Sequence, residues 1–221
     1  MKEFFGTKGW FNGFRKRTGL HSVVRHGEAA SEDRDAAEQH PAKFKKLIEE
    51  GDFVSKQVFN CDENCLFWKK MPRRTYITEK ETTLPGCKPM KDRLALLFCA
   101  KASGDCKVKP IFMYHSENPR AFKYIRKNRL GVLWCSNHRA WVTRSLFSDW
   151  VTEVFGPTVR NYLRKENLPL KVLLVMNSAP AHPPNLMEEL PHQFSFIKVH
   201  FLPPNTKPLL QPMDQQVIAN F

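Results

Sequence analysis

Polar side chains stand where predicted strands of this 221-residue chain end. The segment "FNCDEN" closes one apolar run and places Asp62 or Glu63 at its tip, and "KVLLVMNSA" ends another run at Asn177. A third position, Asp214 in "LLQPMDQQV", falls in the first turn of a predicted helix. Because ligands of α/β sheets gather at the carboxyl ends of strands, we expect Asp62, Asn177 and Asp214 to meet at one sheet edge.

Oxygen-bearing side chains in this arrangement suit a divalent metal ion. Mg²⁺ prefers oxygen ligands and retains bound water, and two such ions about 3.5–4 Å apart can activate water and stabilise the leaving oxygen of a phosphodiester. Each acid alone also has a simpler explanation, since Asp62 could cap a turn and Asp214 near a helix N-terminus would suit the helix dipole. The residues by themselves leave both interpretations open.

Alternating strands and helices must position these residues. The predicted strands lie at 57–61, 94–102, 107–115, 171–176 and 194–203. The predicted helices lie at 10–17, 42–50, 143–167, 185–194 and from 212 onward. The turn at 103–105 indicates a hairpin, and Gly156-Pro157 either kinks or splits the longest helix. This order predicts a mixed α/β sheet of the ribonuclease-H-like kind, in which an antiparallel hairpin adjoins parallel strands.

Composition and charge favour an intracellular protein with a polyanionic partner. Hydrophobic residues make up 42% of the chain and aromatic residues 12%, which supplies a core and excludes global disorder. The formal net charge of +13 favours nucleic acid, although a basic surface kept for solubility is the simpler alternative. No apolar run approaches the length of about 20 residues that spans a bilayer, and the N-terminus lacks a secretory signal. The six cysteines form no C-x-x-C pair, which disfavours zinc and fits reduced thiols.

Basic residues cluster in three places with aromatic residues nearby. From 118 to 148 the chain has no acidic residue. We expect salt-sensitive and mostly sequence-independent contacts with phosphates from a basic set. Its members are Arg15, Lys16, Arg17, Lys69, Lys70, Arg73, Arg74, Arg120, Lys123, Arg126, Lys127 and Arg129. A solvated basic face is the alternative. We expect Trp134 and Trp141 to pack in the core and His182 to form hydrogen bonds within its turn.

Six ordered blocks resemble the DDE-type transposase domain of the pogo/Tigger group, to which the jerky proteins and, more distantly, centromere protein B are related. The blocks read "VFNCDENCLFWKKMPRRTY", "KDRLALLFCA", "YHSENPRAFK", "AWVTRSLF", "LLVMNSAPAHPP" and "FLPPNTKPLLQPMDQQVIANF". The opening "TKGWFNGFRKRTGLHSV" resembles the tail of the helix-turn-helix DNA-binding region that precedes this domain in the family. The resemblance implies a helix-turn-helix remnant at 1–26, a linker and helix at 27–52, and a ribonuclease-H-like domain over 53–221 that is truncated at its C-terminus.

The resemblance also implies a DDE site with one altered member. The family's first and third acids match Asp62 and Asp214, whereas its second block normally carries Asp where this chain has Asn177. An amide oxygen can coordinate Mg²⁺ but brings no negative charge, so we expect weak binding of Mg²⁺ or Mn²⁺ and little or no cleavage of DNA. The implied protein is nuclear and transposase-derived, and it binds DNA but neither a membrane nor a small-molecule substrate. Two alternatives stay open: an active Mg²⁺-dependent endonuclease or transposase, and an interaction scaffold or non-functional relic.

Overall fold

A mixed sheet of six strands forms the centre of the computed structural model, which describes residues 6–19, 32–68 and 93–220. The strands are β1 (Val58–Leu66), β2 (Leu94–Lys101), β3 (Lys107–Tyr114), β4 (Leu133–Ser136), β5 (Val172–Met176) and β6 (Ile197–Phe201), in the spatial order β4-β3-β2-β1-β5-β6. The pairs β1–β2 and β2–β3 are antiparallel, and the pairs β1–β5, β5–β6 and β3–β4 are parallel. The predicted hairpin is therefore present, and the prediction of a mixed α/β sheet is confirmed.

Helices pack on both faces of this sheet, although α1 has no buried residue. The α-helices are α1 (Lys8–Thr18), α2 (Arg34–Glu50), α3 (Arg144–Trp150), α4 (Gly156–Lys165), α5 (Leu186–Glu189) and α6 (Lys207–Leu210). Short 3₁₀ turns lie at Ser55–Gln57, Arg120–Phe122, Lys127–Arg129, His192–Phe194, Pro212–Asp214 and Ile218–Asn220. In the described ranges, no helix is both long enough and apolar enough to cross a membrane.

The two faces of the sheet have separate cores. On one face, Phe59 and Cys61 of β1 pack with α3, α4 and the segment that joins them, in which Trp150 and Phe155 are completely buried. On the other face, Val175 of β5 belongs to a smaller cluster against which α2 packs. Because successive strand residues point to opposite faces, Asn60 and Asp62 lie on the α2 face of β1.

One continuous helical run joins α3 to α4. Between them, Val151–Phe155 forms a π-helical segment, and Gly156 and Pro157 open α4. Pro157 has no backbone N–H with which to make the usual helical hydrogen bond. The extra residue of a π turn accommodates this loss, so the helical run deviates locally but is not split. A Cβ atom at Gly156 would lie 2.4 Å from the ring of Phe194, so close packing also favours glycine here.

Several predicted boundaries are wrong, for local reasons. The strand predicted at 57–61 continues to Leu66 because β1 pairs with β2 along its length, so Asp62 lies within the strand and not at its tip. The helix predicted from Pro212 is a 3₁₀ turn that ends at Asp214, and the left-handed φ of 69° at Gln216 prevents its continuation. The strand β4 was not predicted, because four residues carry too little periodicity.

Two predicted helices also differ in extent. The helix predicted at 42–50 begins at Arg34, where the side chain of Asp33 accepts a hydrogen bond from the backbone of Ala36 at 3.0 Å. The helix predicted at 185–194 is shorter, since α5 ends before Pro191 and a separate 3₁₀ turn follows. The first helix agrees with its prediction and ends at Gly19, whose φ is 67°.

Candidate active site

Asn60 and Gln211 attach the segment that carries Asp214 to the central strand. The amide nitrogen of Asn60 donates to the backbone oxygen of Val175 at 2.9 Å and to Oε1 of Gln211 at 2.6 Å. Its Oδ1 accepts from the backbone nitrogen of Met213 at 3.1 Å, and Nε2 of Gln211 donates to the backbone oxygen of Cys61 at 3.1 Å. Both side chains are buried. These bonds hold residues 211–214 against β1, beside the end of β5.

Asp62 and Asp214 converge on a single ammonium group. The Nζ atom of Lys207 lies 3.0 Å from Oδ1 of Asp62 and 3.8 Å from Oδ2 of Asp214. The side chain of Asp62 is completely buried, whereas that of Asp214 is 35% exposed. The two acids named from the sequence therefore do lie together, with a lysine between them that was not predicted.

Asn177 directly follows the neighbouring strand β5, which ends at Met176. The parallel register pairs Asn60 with Val175, and extending it by two residues along each chain brings Asn177 to the level of Asp62. Continuing the alternation of β5 places Asn177 on the face of Val175, which is also the face of Asp62. Its Oδ1 atom is buried and has no hydrogen-bond partner among the described residues. The three predicted positions therefore share one end of the sheet.

His182 supports this edge from the opposite face. Its Nε2 atom lies 2.9 Å from Oε1 of Glu63, and its Nδ1 atom lies 2.7 Å from the backbone oxygen of Asn177. The ring is buried and packs against Phe147 with 4.7 Å between ring centroids. Burial lowers the pKa of His182, but its hydrogen bond and charge interaction with Glu63 outweigh burial and raise it. The histidine thus acts as a buried hydrogen-bonding residue, in agreement with the expectation.

The environment of Asp62 is unfavourable for a charged carboxylate. Burial is the largest cause that raises its pKa, the charge and hydrogen bond of Lys207 oppose this, and the charges of Asp214 and Glu63 add to it, so that the pKa lies at about 6. Its Oδ2 atom has no hydrogen-bond partner within the described parts of the chain. A buried carboxylate with so few donors among the described residues depends strongly on the cation of Lys207 beside it.

The donor set does not fit a pair of divalent metal ions. Oxygen atoms are available from Asp62, Asn177 and Asp214, but the amide supplies no charge and the ammonium of Lys207 occupies the space between the two acids. In the described ranges, no group of three or more histidine, cysteine, aspartate or glutamate side chains is arranged to hold a metal ion.

The predicted basic set is divided between several parts of the chain. Arg15, Lys16 and Arg17 form the last turn of α1. The members at 69, 70, 73 and 74 lie outside the described residues. The remaining five lie between β3 and β4, and four of them are exposed: Arg120, Lys123, Arg126 and Arg129. The fifth, Lys127, is half-buried and donates to Oδ1 of Asn118 at 2.9 Å.

Strand directions relate the basic connection to the acidic site. Since β3 and β1 are both antiparallel to β2, they run in the same direction, and β5 runs parallel to β1. The chain therefore leaves β3 at the same edge of the sheet as Asn177 leaves β5. The exposed basic residues of 120–129 follow within this connection.

The two tryptophans of the basic region differ. Trp134 stacks on Phe112 with 4.8 Å between ring centroids, as expected for a packing residue. Trp141 is 52% exposed, and the guanidinium of Arg93 lies 4.4 Å from its ring centroid. The prediction of a core position for Trp141 is therefore wrong, because its segment turns outward between β4 and α3.

Comparison with protein families identifies relatives of this chain. A model described as DDE superfamily endonuclease matches residues 91–221. The human Jerky protein homolog is 37% identical over 215 residues, which cover 96% of this chain and 37% of that protein. Human Tigger transposable element-derived protein 7 is 35% identical over 223 residues, which cover 99% of this chain and 40% of that protein. CENP-B homolog protein 2 of Schizosaccharomyces pombe is 26% identical over 219 residues, which cover 97% of this chain and 40% of that protein.

Solved structures share the fold at low identity. The Mos1 mariner paired end complex with Mn matches with a TM-score of 0.52 and 11% identity, over 97% of this chain and 56% of that one. The complex with Mg matches with a TM-score of 0.50 and 14% identity, over 96% and 55%. These matches show a ribonuclease-H-like DDE fold. The chain spans about two fifths of the length of the curated relatives it matches.

Proposed function

Because the chain belongs to the DDE superfamily of endonucleases, we propose that it is a transposase-derived nuclear protein that binds DNA without cleaving it. The observation that carries this proposal is the position of Asn177 beside Asp62, where a third carboxylate would complete the site. Asp62, Asn177 and Asp214 occupy the positions of catalytic metal ligands, and one of them is neutral. Cleavage would require Mg²⁺ or Mn²⁺ held by charged oxygens.

Loss of one charge weakens such a site strongly. A divalent ion that exchanges its water shell for protein ligands gains most from anionic oxygens, and here only Asp62 and Asp214 supply them. The pKa of Asp62, raised to about 6 mainly by burial, further reduces the negative charge available in slightly acidic solution. An ion held this weakly would not stabilise the charge that develops on a phosphodiester.

Charge supports the DNA-binding part of the proposal. The formal net charge is +13. The exposed members of the basic set at 120–129 come after β3 in the chain, which leaves the sheet at the same edge as Asn177. Side chains of this kind contact phosphates and position a duplex without reading its sequence. The exposed Trp141 adds an aromatic surface near this edge.

A second candidate function is an active Mg²⁺- or Mn²⁺-dependent endonuclease. One observation favours it: Oδ2 of Asp62 and Oδ1 of Asn177 are buried and have no hydrogen-bond partner among the described residues. Buried polar atoms of this kind are often satisfied by a ligand or ion. We favour the non-cleaving protein because an ammonium group already lies between the two acids and neutralises one of their charges.

A salt titration of DNA binding tests the proposed function. The fluorescence anisotropy of a labelled duplex reports the binding constant, which we expect to fall linearly with salt concentration on logarithmic axes. The same samples, incubated with Mg²⁺, report whether the duplex stays intact. Binding that does not respond to salt, or that is absent at low salt, would contradict the proposal.

A further inference from the structure

The geometry around Lys207 accounts for the poor fit of the site to a metal ion. The ammonium group contacts Oδ1 of Asp62 at 3.0 Å and approaches Oδ2 of Asp214 at 3.8 Å, and its side chain is only 26% exposed. A partly buried lysine near two carboxylates interacts much more strongly with them than a lysine on the surface does. The contact is thus part of the site itself.

The backbone around Lys207 is fixed by several hydrogen bonds. Thr206, which is completely buried, donates through Oγ1 to the backbone oxygen of Pro203 at 2.7 Å. The backbone nitrogen of Leu210 donates to the oxygen of Thr206 at 2.9 Å, and that of Gln211 donates to the oxygen of Lys207 at 3.0 Å. Gln211 is in turn bonded to Asn60 and to β1. Lys207 therefore projects from a turn that is anchored to the strand of Asp62.

We propose that Lys207 serves as a tethered cation that takes the place of a divalent metal ion between Asp62 and Asp214. This inference deepens the proposed function and rests on it for the identity of the ion that is replaced. The ammonium neutralises one of the two carboxylate charges and, unlike a bound metal ion, cannot dissociate from the protein. A divalent ion at the same place would need oxygen ligands at about 2.0–2.1 Å and would meet the repulsion of the positive charge.

Charge counting among the described side chains supports the replacement. Asp62 and Asp214 supply two negative charges and Lys207 one positive charge. With a third carboxylate and no lysine, the acids would repel one another more strongly in the absence of a metal ion or a bound proton. The neutral amide at Asn177 and the ammonium of Lys207 thus act in the same direction, since each lowers the need for metal.

Binding of Mn²⁺ to the purified chain tests this proposal. Free Mn²⁺ gives an electron paramagnetic resonance signal that is lost on binding, so affinity is measured without any reaction. The variants are Lys207→Met, which removes the charge at similar length, and Lys207→Arg, which keeps it. Lys198→Met, at an exposed position on β6, is the matched control. Melting temperatures with and without Mn²⁺ supply a second readout.

We expect Lys207→Met to bind Mn²⁺ about tenfold more tightly than the unmodified chain, or tighter still, which corresponds to about 1.4 kcal/mol. Its melting temperature should fall without metal and recover with Mn²⁺, while Lys207→Arg and Lys198→Met behave as the unmodified chain does. A folded Lys207→Met chain with unchanged affinity for Mn²⁺ would overturn the proposal.

If Lys207→Met does not fold, the unmodified chain itself still tests the proposal. We expect the unmodified chain to leave the Mn²⁺ signal undiminished. If the unmodified chain strongly reduced the Mn²⁺ signal and Asp62→Asn did not, a metal ion would be displacing the ammonium of Lys207. That result would overturn the proposal. Either failure leaves the salt dependence of DNA binding unaffected, so the two proposals can fail separately.

Discussion

The side chains of Asn60 and Gln211 hydrogen-bond to each other at 2.6 Å across the junction of β1 with the segment that carries Asp214. Both are buried, and each also bonds to the backbone of the central strands or of the segment itself. Asn60 stands two residues before Asp62, so one short stretch of β1 supplies both an acid and the anchor for its partner. The arrangement of the site therefore depends on residues that need not touch a ligand.

Asn60→Ala should destabilise the fold through loss of this anchor. The side chain takes part in three hydrogen bonds, and at roughly 1 kcal/mol for each we expect the free energy of unfolding to fall by about 3 kcal/mol. Asn64→Ala, at an exposed position in the same strand, is the matched control and should change little. Urea denaturation measures both, and equal effects of the two substitutions would contradict the anchoring role.

Asn177→Asp should lower the stability of the metal-free chain and strengthen its binding of metal. A new carboxylate beside the buried Asp62 adds like-charge repulsion, so we expect a lower melting temperature in the absence of metal. Added Mn²⁺ should raise it again, because the site then has three anionic ligands. Asn161→Asp, on the exposed side of α4, controls for the change of residue type. Identical melting temperatures for Asn177→Asp and Asn161→Asp would show that position 177 is remote from Asp62.

A pair of histidines should make stability depend on pH. Nε2 of His40 on α2 lies 3.0 Å from Nε2 of His200 on β6. Burial lowers the pKa of both rings, with a smaller contribution from Lys43 at His40 and from His40 at His200. Since the folded-state pKa values lie below the unfolded value of about 6.5, the unfolded chain binds more protons, and stability is lost as the pH falls below that value.

Urea denaturation at several pH values checks the histidine prediction. His182 and Asp62, whose pKa values are raised, contribute with the opposite sign, so the effect of the histidine pair is measured as a difference between chains. On acidification below about pH 6.5, we expect the free energy of unfolding to fall further, or to rise less, in the unmodified chain than in His200→Gln. Replacement of the exposed His138 should leave the pH dependence of the unmodified chain unchanged. The same slope in His200→Gln as in the unmodified chain would rule out the histidine pair as its source.

Substitutions in the basic connection between β3 and β4 should weaken DNA binding and its response to salt. Arg126 and Arg129 are exposed, and removing each phosphate contact should reduce the logarithmic salt slope by about 1. Lys45 and Lys46 on α2 are suitable controls, since each forms an ion pair with a glutamate one turn away, at 3.9 and 3.6 Å. A larger effect of the α2 substitutions would place the DNA elsewhere.

Hydrophobic periodicity and the family resemblance predicted much of the fold and three of the site residues. They did not predict which individual side chains contact one another. The turn at 103–105 and the apolar runs on either side predicted the hairpin, and the family blocks led to Asp62, Asn177 and Asp214. Lys207 was missed because an isolated lysine in a proline-rich segment has no distinguishing pattern, and its role arises only when α6 docks on β1. The four-residue strand β4 and the partnership of Asn60 with Gln211 likewise depend on contacts distant in sequence.

Nicking of supercoiled plasmid by the unmodified chain, in Mg²⁺ and in Mn²⁺, tests most directly whether the site has lost its chemistry. We expect the plasmid to be bound at low salt and to remain supercoiled with either ion, at the level seen with Asp62→Asn. Metal-dependent nicking that is abolished by both Asp62→Asn and Asp214→Asn would show a working nuclease and would contradict the proposed function.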